Sequence, residues 1–298
     1  MLFLVGSGPS EHLDEVHDQF VEAARRRGGP IAVAALGTEE EVEQFLPDYV
    51  QPILTRWPDA VIEPVFLDDD GDTVWPDDLR ALAGLVVCGG WTPGYLDALT
   101  PQRDTISRLV RGGMPYLGFS AGAMIVSRHA IVGGWKYQGR MIAPEIVGEG
   151  LEELTIRDGL ALIGPCVETH ADAWSNLGVA LAALEACPAR TAVTIDEGTC
   201  LAVDPASGRT NVIGAGRVYW LQKEGAHVMV SHEQAPPPPP AEPPALEHPV
   251  AVKPSQLPKH VPPHSATPTE PEQAEGAGEP DQPASGQGTE SGEPVPGE

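Results

Sequence analysis

Basic residues are scarce in this 298-residue chain: 18 Lys and Arg stand against 43 Asp and Glu, for a formal net charge of -25. No basic patch is available to meet phosphates, which argues against nucleic acid as a partner and against anionic membrane surfaces. Cysteine is scarce as well. Cys88, Cys166, Cys187 and Cys200 show neither CxxC nor ladder spacing. They offer no zinc site and no disulfide framework, and read as reduced thiols of a cytoplasmic protein. Long apolar runs are missing too. Met1 to Val5 is apolar but stops at Gly6, too short for a signal peptide or a membrane span and the right length for a first buried strand. The acidic run Asp68-Asp69-Asp70-Gly71-Asp72 lacks the twelve-residue calcium-loop pattern with its terminal Glu, and reads as a solvated turn. No cofactor and no metal is called for.

The last part of the chain is poorer still. Residues 235–298 contain no Trp, Tyr, Phe, Ile, Met or Cys, but hold 18 of the 32 prolines, ten acidic residues and two lysines. Such a segment cannot bury enough apolar surface to offset its ordering entropy. The expectation is a disordered, acidic, Pro-rich tail over 235–298, with polyproline II character at Pro236–Pro240, following one α/β domain over 1–234. The tail accounts for -8 of the net charge, leaving -17 on the domain.

What is present in that domain is a βαβ rhythm. Leu2–Val5, Ile31–Leu36, Ala60–Phe66, Leu85–Cys88 and Tyr116–Leu117 are short and apolar throughout, as buried parallel strands are. Glu11–Arg27, Glu39–Arg56, Asp77–Leu82 and Gln102–Arg111 between them read as helices. Ser10 and Thr38 stand at N-cap positions, and Thr38 with Glu41 forms a capping box. The implied architecture is a doubly wound, mainly parallel sheet. Past Val126 the pattern predicts a helix over Asn176–Ala186. It predicts strands over Ala192–Ile195, Thr199–Ala202, Asn211–Ile213, Arg217–Leu221 and His227–Val230, at hairpin spacing, so antiparallel strands should close the edge of the sheet.

Ligands of an open α/β sheet bind beyond the carboxyl ends of its strands, and three stretches with chemical potential fall there. In Gly118-Phe119-Ser120-Ala121-Gly122 a strand enters a Gly-x-Ser-x-Gly frame that leads into a helix, the outline of a nucleophile elbow. Its flanking glycines leave room for the turn, and the Ala121 N–H points toward an oxyanion site beside Ser120. An ordinary Gly/Ser turn is the plain alternative. In Cys88-Gly89-Gly90-Trp91-Thr92 two glycines let a backbone N–H, that of Gly90, approach a reacting carbonyl; a simple Gly-Gly turn is the alternative. His170, after the apolar stretch Leu160–Val167 and before a helix, can serve as base to a serine hydroxyl; a structural or solvated histidine is the alternative.

Taken together these pieces resemble the serine peptidase family of aspartyl dipeptidase (peptidase E) and cyanophycinase, relatives of the class I glutamine amidotransferases. The family's Gly-x-Ser-Ala-Gly-Ala elbow is matched by residues 118–123, its Gly-rich oxyanion loop by Cys88–Thr92, and its catalytic histidine by His170. The stretch from Ala192 to Thr199 is similar to a cyanophycinase-type Asp-Glu segment. The resemblance covers roughly residues 1–222 and implies a three-layer α/β/α amidotransferase-like fold, a cofactor-free Ser-His mechanism and small peptide substrates, with a homodimer left open. Cys88 and Trp91 depart from the family's glycine and asparagine, and Trp91 is expected to narrow the pocket. The family places an acid fifteen to twenty residues past the serine, where this chain has no carboxylate. Glu145 is the first choice for the third triad member, with Gln138 and Asp172 behind it. Two rival readings remain: an α/β-hydrolase-type esterase using His227 or His232, and a non-catalytic binding protein on the same scaffold.

Overall fold

A computed structural model of the chain describes residues 1–68 and 73–236. The acidic run at 69–72 and nearly all of the Pro-rich tail lie outside the described residues. The first half alternates strand and helix. β1 (Leu2–Val5), α1 (Asp14–Arg27), β2 (Ile31–Leu36), α2 (Glu39–Glu43), α3 (Leu46–Arg56), β3 (Ile62–Leu67), β4 (Gly84–Val87), α4 (Thr92–Leu99), α5 (Arg103–Arg111), β5 (Tyr116–Phe119) and α6 (Ala121–Met124) follow in chain order. β1, β4 and β5 are buried over their whole length, which is why they carry no polar alternation. α1 turns Val16, Phe20, Val21 and Ala24 inward, the spacing of one helical face. Thr38 makes the expected capping box with Glu41, and Ser10 caps the short turn before α1.

The second half contributes β6 (His129–Gly133), β7 (Lys136–Tyr137), β8 (Arg140–Met141), β9 (Thr155–Asp158), β10 (Cys166–Glu168), α7 (Ala171–Trp174), α8 (Leu177–Ala186), β11 (Thr191–Ile195), β12 (Thr199–Val203), β13 (Thr210–Gly214), β14 (Arg217–Glu224) and β15 (His227–Gln234). The main sheet has seven strands in the order β13-β12-β1-β5-β4-β2-β3. β1 to β5 are mutually parallel, and β12 and β13 add antiparallel strands at one edge. This is the expected three-layer α/β fold with a mainly parallel sheet.

Two local expectations are corrected. Only β12 and β13 close the main sheet; β11, β14 and β15 join β10 in a separate four-stranded sheet, and β10 pairs with β11 in parallel. The segment 77–82 forms a single 3-10 turn, Leu79–Ala81, while an unexpected helix, α4, starts directly after the Gly-Gly loop. Its Pro93 sits in the first helical turn, where a missing N–H costs nothing.

Strand direction is what assembles the site. β1, β4 and β5 all end at one edge of the main sheet. β12 runs against β1 with Cys200 opposite Val5, so the turn that feeds β12, Asp196 to Gly198, lies at that same edge. β10 and β11 are parallel neighbours, so the residues following them, His170 and Glu197, emerge side by side.

Candidate active site

Ser120 follows β5 with φ 45° and ψ -110°, a conformation that L side chains rarely adopt. Three close approaches impose it. A Cβ on Gly118 would stand 2.4 Å from the Gly122 carbonyl oxygen, and one on Gly122 would stand 2.4 Å from that of Val87. The Tyr116 hydroxyl donates to the Gly122 carbonyl at 2.7 Å and locks the turn from below. Strain of this kind costs about 1–3 kcal/mol. Of two variants that both lack the hydroxyl, Ser120→Gly should therefore melt higher than Ser120→Ala. After the greater chain entropy of glycine is subtracted, a net gain near 1 kcal/mol corresponds to about 2–4 °C for a domain of this size. Calorimetry on the pair checks this; equal melting points would mean the turn is relaxed.

The end of β1 anchors both Ser120 and His170. The Ser120 N–H donates to the Val5 carbonyl at 3.0 Å, and the His170 N–H to the adjacent Gly6 carbonyl at 2.9 Å. Gly6 admits no side chain, since a Cβ there would lie 2.2 Å from the Asp196 carbonyl oxygen. His170 takes left-handed backbone angles, φ 57° and ψ 36°, and its ring stacks on Trp174 at 4.0 Å between centroids and 15° between planes. The imidazole is thus fixed in position and in plane.

Its Nε2 lies 2.8 Å from the Ser120 Oγ and its Nδ1 lies 2.7 Å from Oε1 of Glu197. With Nδ1–H donating to the carboxylate, Nε2 is left unprotonated to accept the serine proton. The structure does not bring the sequence-based choice for the acid to the imidazole. Both imidazole nitrogens are already engaged, and Glu145 takes part with neither. It lies exposed in the 3-10 turn Glu145–Gly148, at a cavity it shares with Trp135 and Glu152. Gln138 is exposed in the β7–β8 turn at φ 51°. Asp172 is involved at one remove: its Oδ1 accepts the Glu197 backbone N–H at 2.9 Å. Of the two later histidines, His227 and His232, both lie on β15 and are exposed.

Of the two expected amide donors, Ala121 directly follows the serine and Gly90 belongs to the loop that packs against it. Ala121 opens α6, so its N–H has no intrahelical acceptor. Gly90 has φ 146°, and a Cβ on the preceding Gly89 would lie 3.2 Å from the Ser120 Cβ. Among the described residues neither the Gly90 nor the Ala121 N–H donates to another backbone group. Cys88, at the start of this loop, is fully buried, and burial pushes its thiol far up; it keeps its proton and serves as packing. A cavity of about 500 Å³ opens beside His170 and Glu197, with Ser7, Ser10, His12 and Gly198 on its walls.

Behind His170 lies Glu168, fully enclosed. Its Oε1 accepts from the Thr169 N–H and from Asn176 Nδ2, both at 3.1 Å, while its Oε2 and the Asn176 Oδ1 have no partner among the described residues. Burial raises this carboxyl to about 8, opposed by the Thr169 N–H and reinforced by the nearby Glu149 charge. Between the ordinary carboxyl range and pH 8 the folded chain therefore holds a proton that the unfolded chain has released. Stability is greatest below that window and falls as pH rises through it. Melting temperature should decline from about pH 5 to about pH 8, and Glu168→Gln, which keeps an acceptor and gains a donor, should flatten the decline. Parallel slopes for the two proteins would show that Glu168 is ionised throughout.

No protein-family model matches the chain. Two cyanophycinases, one from Trichormus variabilis and one from a Nostoc species, are each 33% identical to it over 144 residues, 47% of this chain and 45% of theirs. The chain thus aligns with less than half the length of these curated relatives. Among solved structures, a peptidase from an acI-B1 Actinobacterium superposes with a TM-score of 0.56 at 20% identity, covering 78% of this chain and 93% of that one. The family that the motifs resemble, that of peptidase E and cyanophycinase, is the one in which these sequence relatives are found, and the fold is shared with a solved peptidase.

Proposed function

We propose that the chain is a serine hydrolase that cleaves amide bonds in short peptides. The observation that carries this reading is the continuous hydrogen-bonded line from Ser120 Oγ through the His170 ring to the Glu197 carboxylate. Ser120 Oγ attacks the substrate carbonyl carbon while its proton passes to His170 Nε2. Glu197 holds the imidazole in the reactive tautomer and stabilises the imidazolium. The oxyanion is received by the N–H groups of Gly90 and Ala121, which are fixed before the charge appears. His170 then returns the proton to the leaving nitrogen as the C–N bond breaks, leaving an ester on Ser120. Water, deprotonated by His170, hydrolyses that ester and restores the hydroxyl. Every group in this scheme lies within residues 1–236, which we take as the catalytic unit.

Trp91 is less of an obstacle than the sequence suggests. Its indole N–H is tied to the Glu149 carbonyl at 3.1 Å and its ring lies against Gly94. The esterase alternative loses support because His170, and neither His227 nor His232, stands at the serine. The non-catalytic alternative loses its main argument because an acid is present at Nδ1. Labelling by a fluorophosphonate tests the reading, with the adduct mapped by mass spectrometry. Modification of Ser120 that is abolished by His170→Ala is expected; an unlabelled Ser120 in the folded protein would overturn it. A dipeptide panel that includes Asp-X and β-Asp-Arg then identifies the substrate.

A further inference from the structure

The Gly89–Gly90 loop is held upstream and downstream by different parts of the chain. Upstream, the Tyr95 hydroxyl donates to the Gly89 carbonyl at 3.0 Å, and the Gly89 N–H reaches the Tyr49 hydroxyl at 3.4 Å. Downstream the loop runs straight into α4, and that helix lacks a cap of its own. Trp91, at the cap position, makes no side-chain bond to the helix amides, and Pro93 has no N–H to offer. The first residue of that helix is held instead through its side chain, by Glu149, 57 residues further along the chain. Its Oε1 accepts the Thr92 hydroxyl proton at 2.9 Å. Its main-chain carbonyl accepts the Trp91 indole N–H. One residue therefore grips two successive members of the loop, with side chain and backbone at once.

The chain is shaped to bring Glu149 there. A 3-10 turn over Glu145–Gly148 ends in Glu149 itself, which takes left-handed angles of φ 54° and ψ 29°. Gly148 is pinned from the other side: its carbonyl accepts the Gly134 N–H at 3.0 Å, and Trp135 packs where a Cβ of Gly148 would stand. A non-glycine residue in this conformation is uncommon and needs compensation. The half-buried carboxylate does too, since burial disfavours its charge. Both are offset at one place, the amide end of α4, where the helix dipole and the free donors favour an anion.

We propose that Glu149 is a positioning residue for the oxyanion hole: it clamps Trp91 and Thr92 and thereby aims the Gly90 N–H at the developing charge beside Ser120. The inference rests on the function proposed above. A paired glycine has more backbone freedom than any other dipeptide. Freed from Glu149, the Gly90 N–H would spend time pointing away. That loss is felt by the oxyanion and hardly by the ground-state substrate, so it falls on kcat and spares KM. Deleting a whole oxyanion donor costs about 10²–10³ in kcat; a donor that is present but loosened should cost about 10-fold to 100-fold.

Three variants of the full chain test this on a peptide that the wild type hydrolyses: Glu149→Ala, Glu149→Gln and Thr92→Val, with Ser120→Ala as reference. The expected result is a 10-fold to 100-fold fall in kcat for Glu149→Ala and Thr92→Val, with KM within about threefold. A peptide aldehyde, whose adduct carries the oxyanion, should lose affinity by the same factor. Glu149→Gln keeps an acceptor for Thr92 and should recover part of the rate. If Glu149→Ala does not fold, Thr92→Val decides, because valine matches threonine in shape and removes only the hydroxyl bond. Turnover that requires Ser120 yet is indifferent to Thr92→Val and Glu149→Ala overturns the positioning role alone. Turnover that survives Ser120→Ala overturns the functional reading beneath it, and the clamp with it.

Discussion

Ser120→Ala should slow peptide hydrolysis by at least about 10³-fold while leaving the fold and the melting temperature nearly unchanged. The size of the loss follows from what remains. The Gly90 and Ala121 amides and the His170 ring are still in place in the variant, and such a remnant still accelerates hydrolysis over water by about 10³–10⁴. What is lost is covalent catalysis, because a methyl group cannot attack the carbonyl. Stability should change little. The strained backbone at φ 45° is the same for alanine, and the one bond removed, to His170 Nε2, is worth about 1 kcal/mol. Initial rates on purified protein, with circular dichroism melts alongside, give both numbers. Turnover within tenfold of wild type would place the nucleophile elsewhere.

How far the sequence reveals this arrangement depends on which residues are asked. The parallel strands are legible because each is apolar on both faces, and a strand covered on both sides can be nothing else at that length. The Thr38–Glu41 capping box is legible because its two hydrogen bonds are local. The Ser120 turn is legible for the same reason: its glycines, Gly118 and Gly122, answer contacts within the turn or with the adjacent strand β4. The assignment of β11, β14 and β15 to a second sheet is not local. An apolar strand states that it is buried, not which neighbour it pairs with, and β10 enters that sheet from the far side of α8. α4 was hidden by Pro93 and Gly94, which read as breakers although the first turn of a helix tolerates both. The acid at His170 was hidden by topology. Counting residues from Ser120 leads to Glu145, whereas Glu197 is delivered by the strand lying parallel to the one that carries the histidine. The signal was present in the turn Asp196-Glu197-Gly198, which follows an apolar strand as the turn at His170 does. Only the pairing of β10 with β11 makes the two turns neighbours.

Glu197→Gln should lower kcat by about 10²–10⁴ with little change in KM. The substitution preserves size, so the effect is one of proton placement. A glutamine can turn its NH₂ toward Nδ1, and Nδ1 must then accept. The ring proton is thereby moved to Nε2, where it faces the Ser120 hydroxyl and blocks proton removal. The imidazolium formed during attack also loses its counter-charge. Because the Glu197 side chain is 44% exposed, water partly screens that charge and can partly replace it, which points to the lower half of the range. Asp172→Asn should cost far less, about tenfold at most, since an amide oxygen can still accept the Glu197 N–H now held at 2.9 Å. Glu145→Gln should leave the rate at wild type, because among the described residues nothing ties that side chain to the imidazole. Steady-state kinetics on the three variants separate the cases. A collapse on Glu145→Gln with an unaffected Glu197→Gln would return the orienting role to the acid that sequence spacing favours. A collapse on Asp172→Asn alone would move it to the carboxylate that now only supports Glu197.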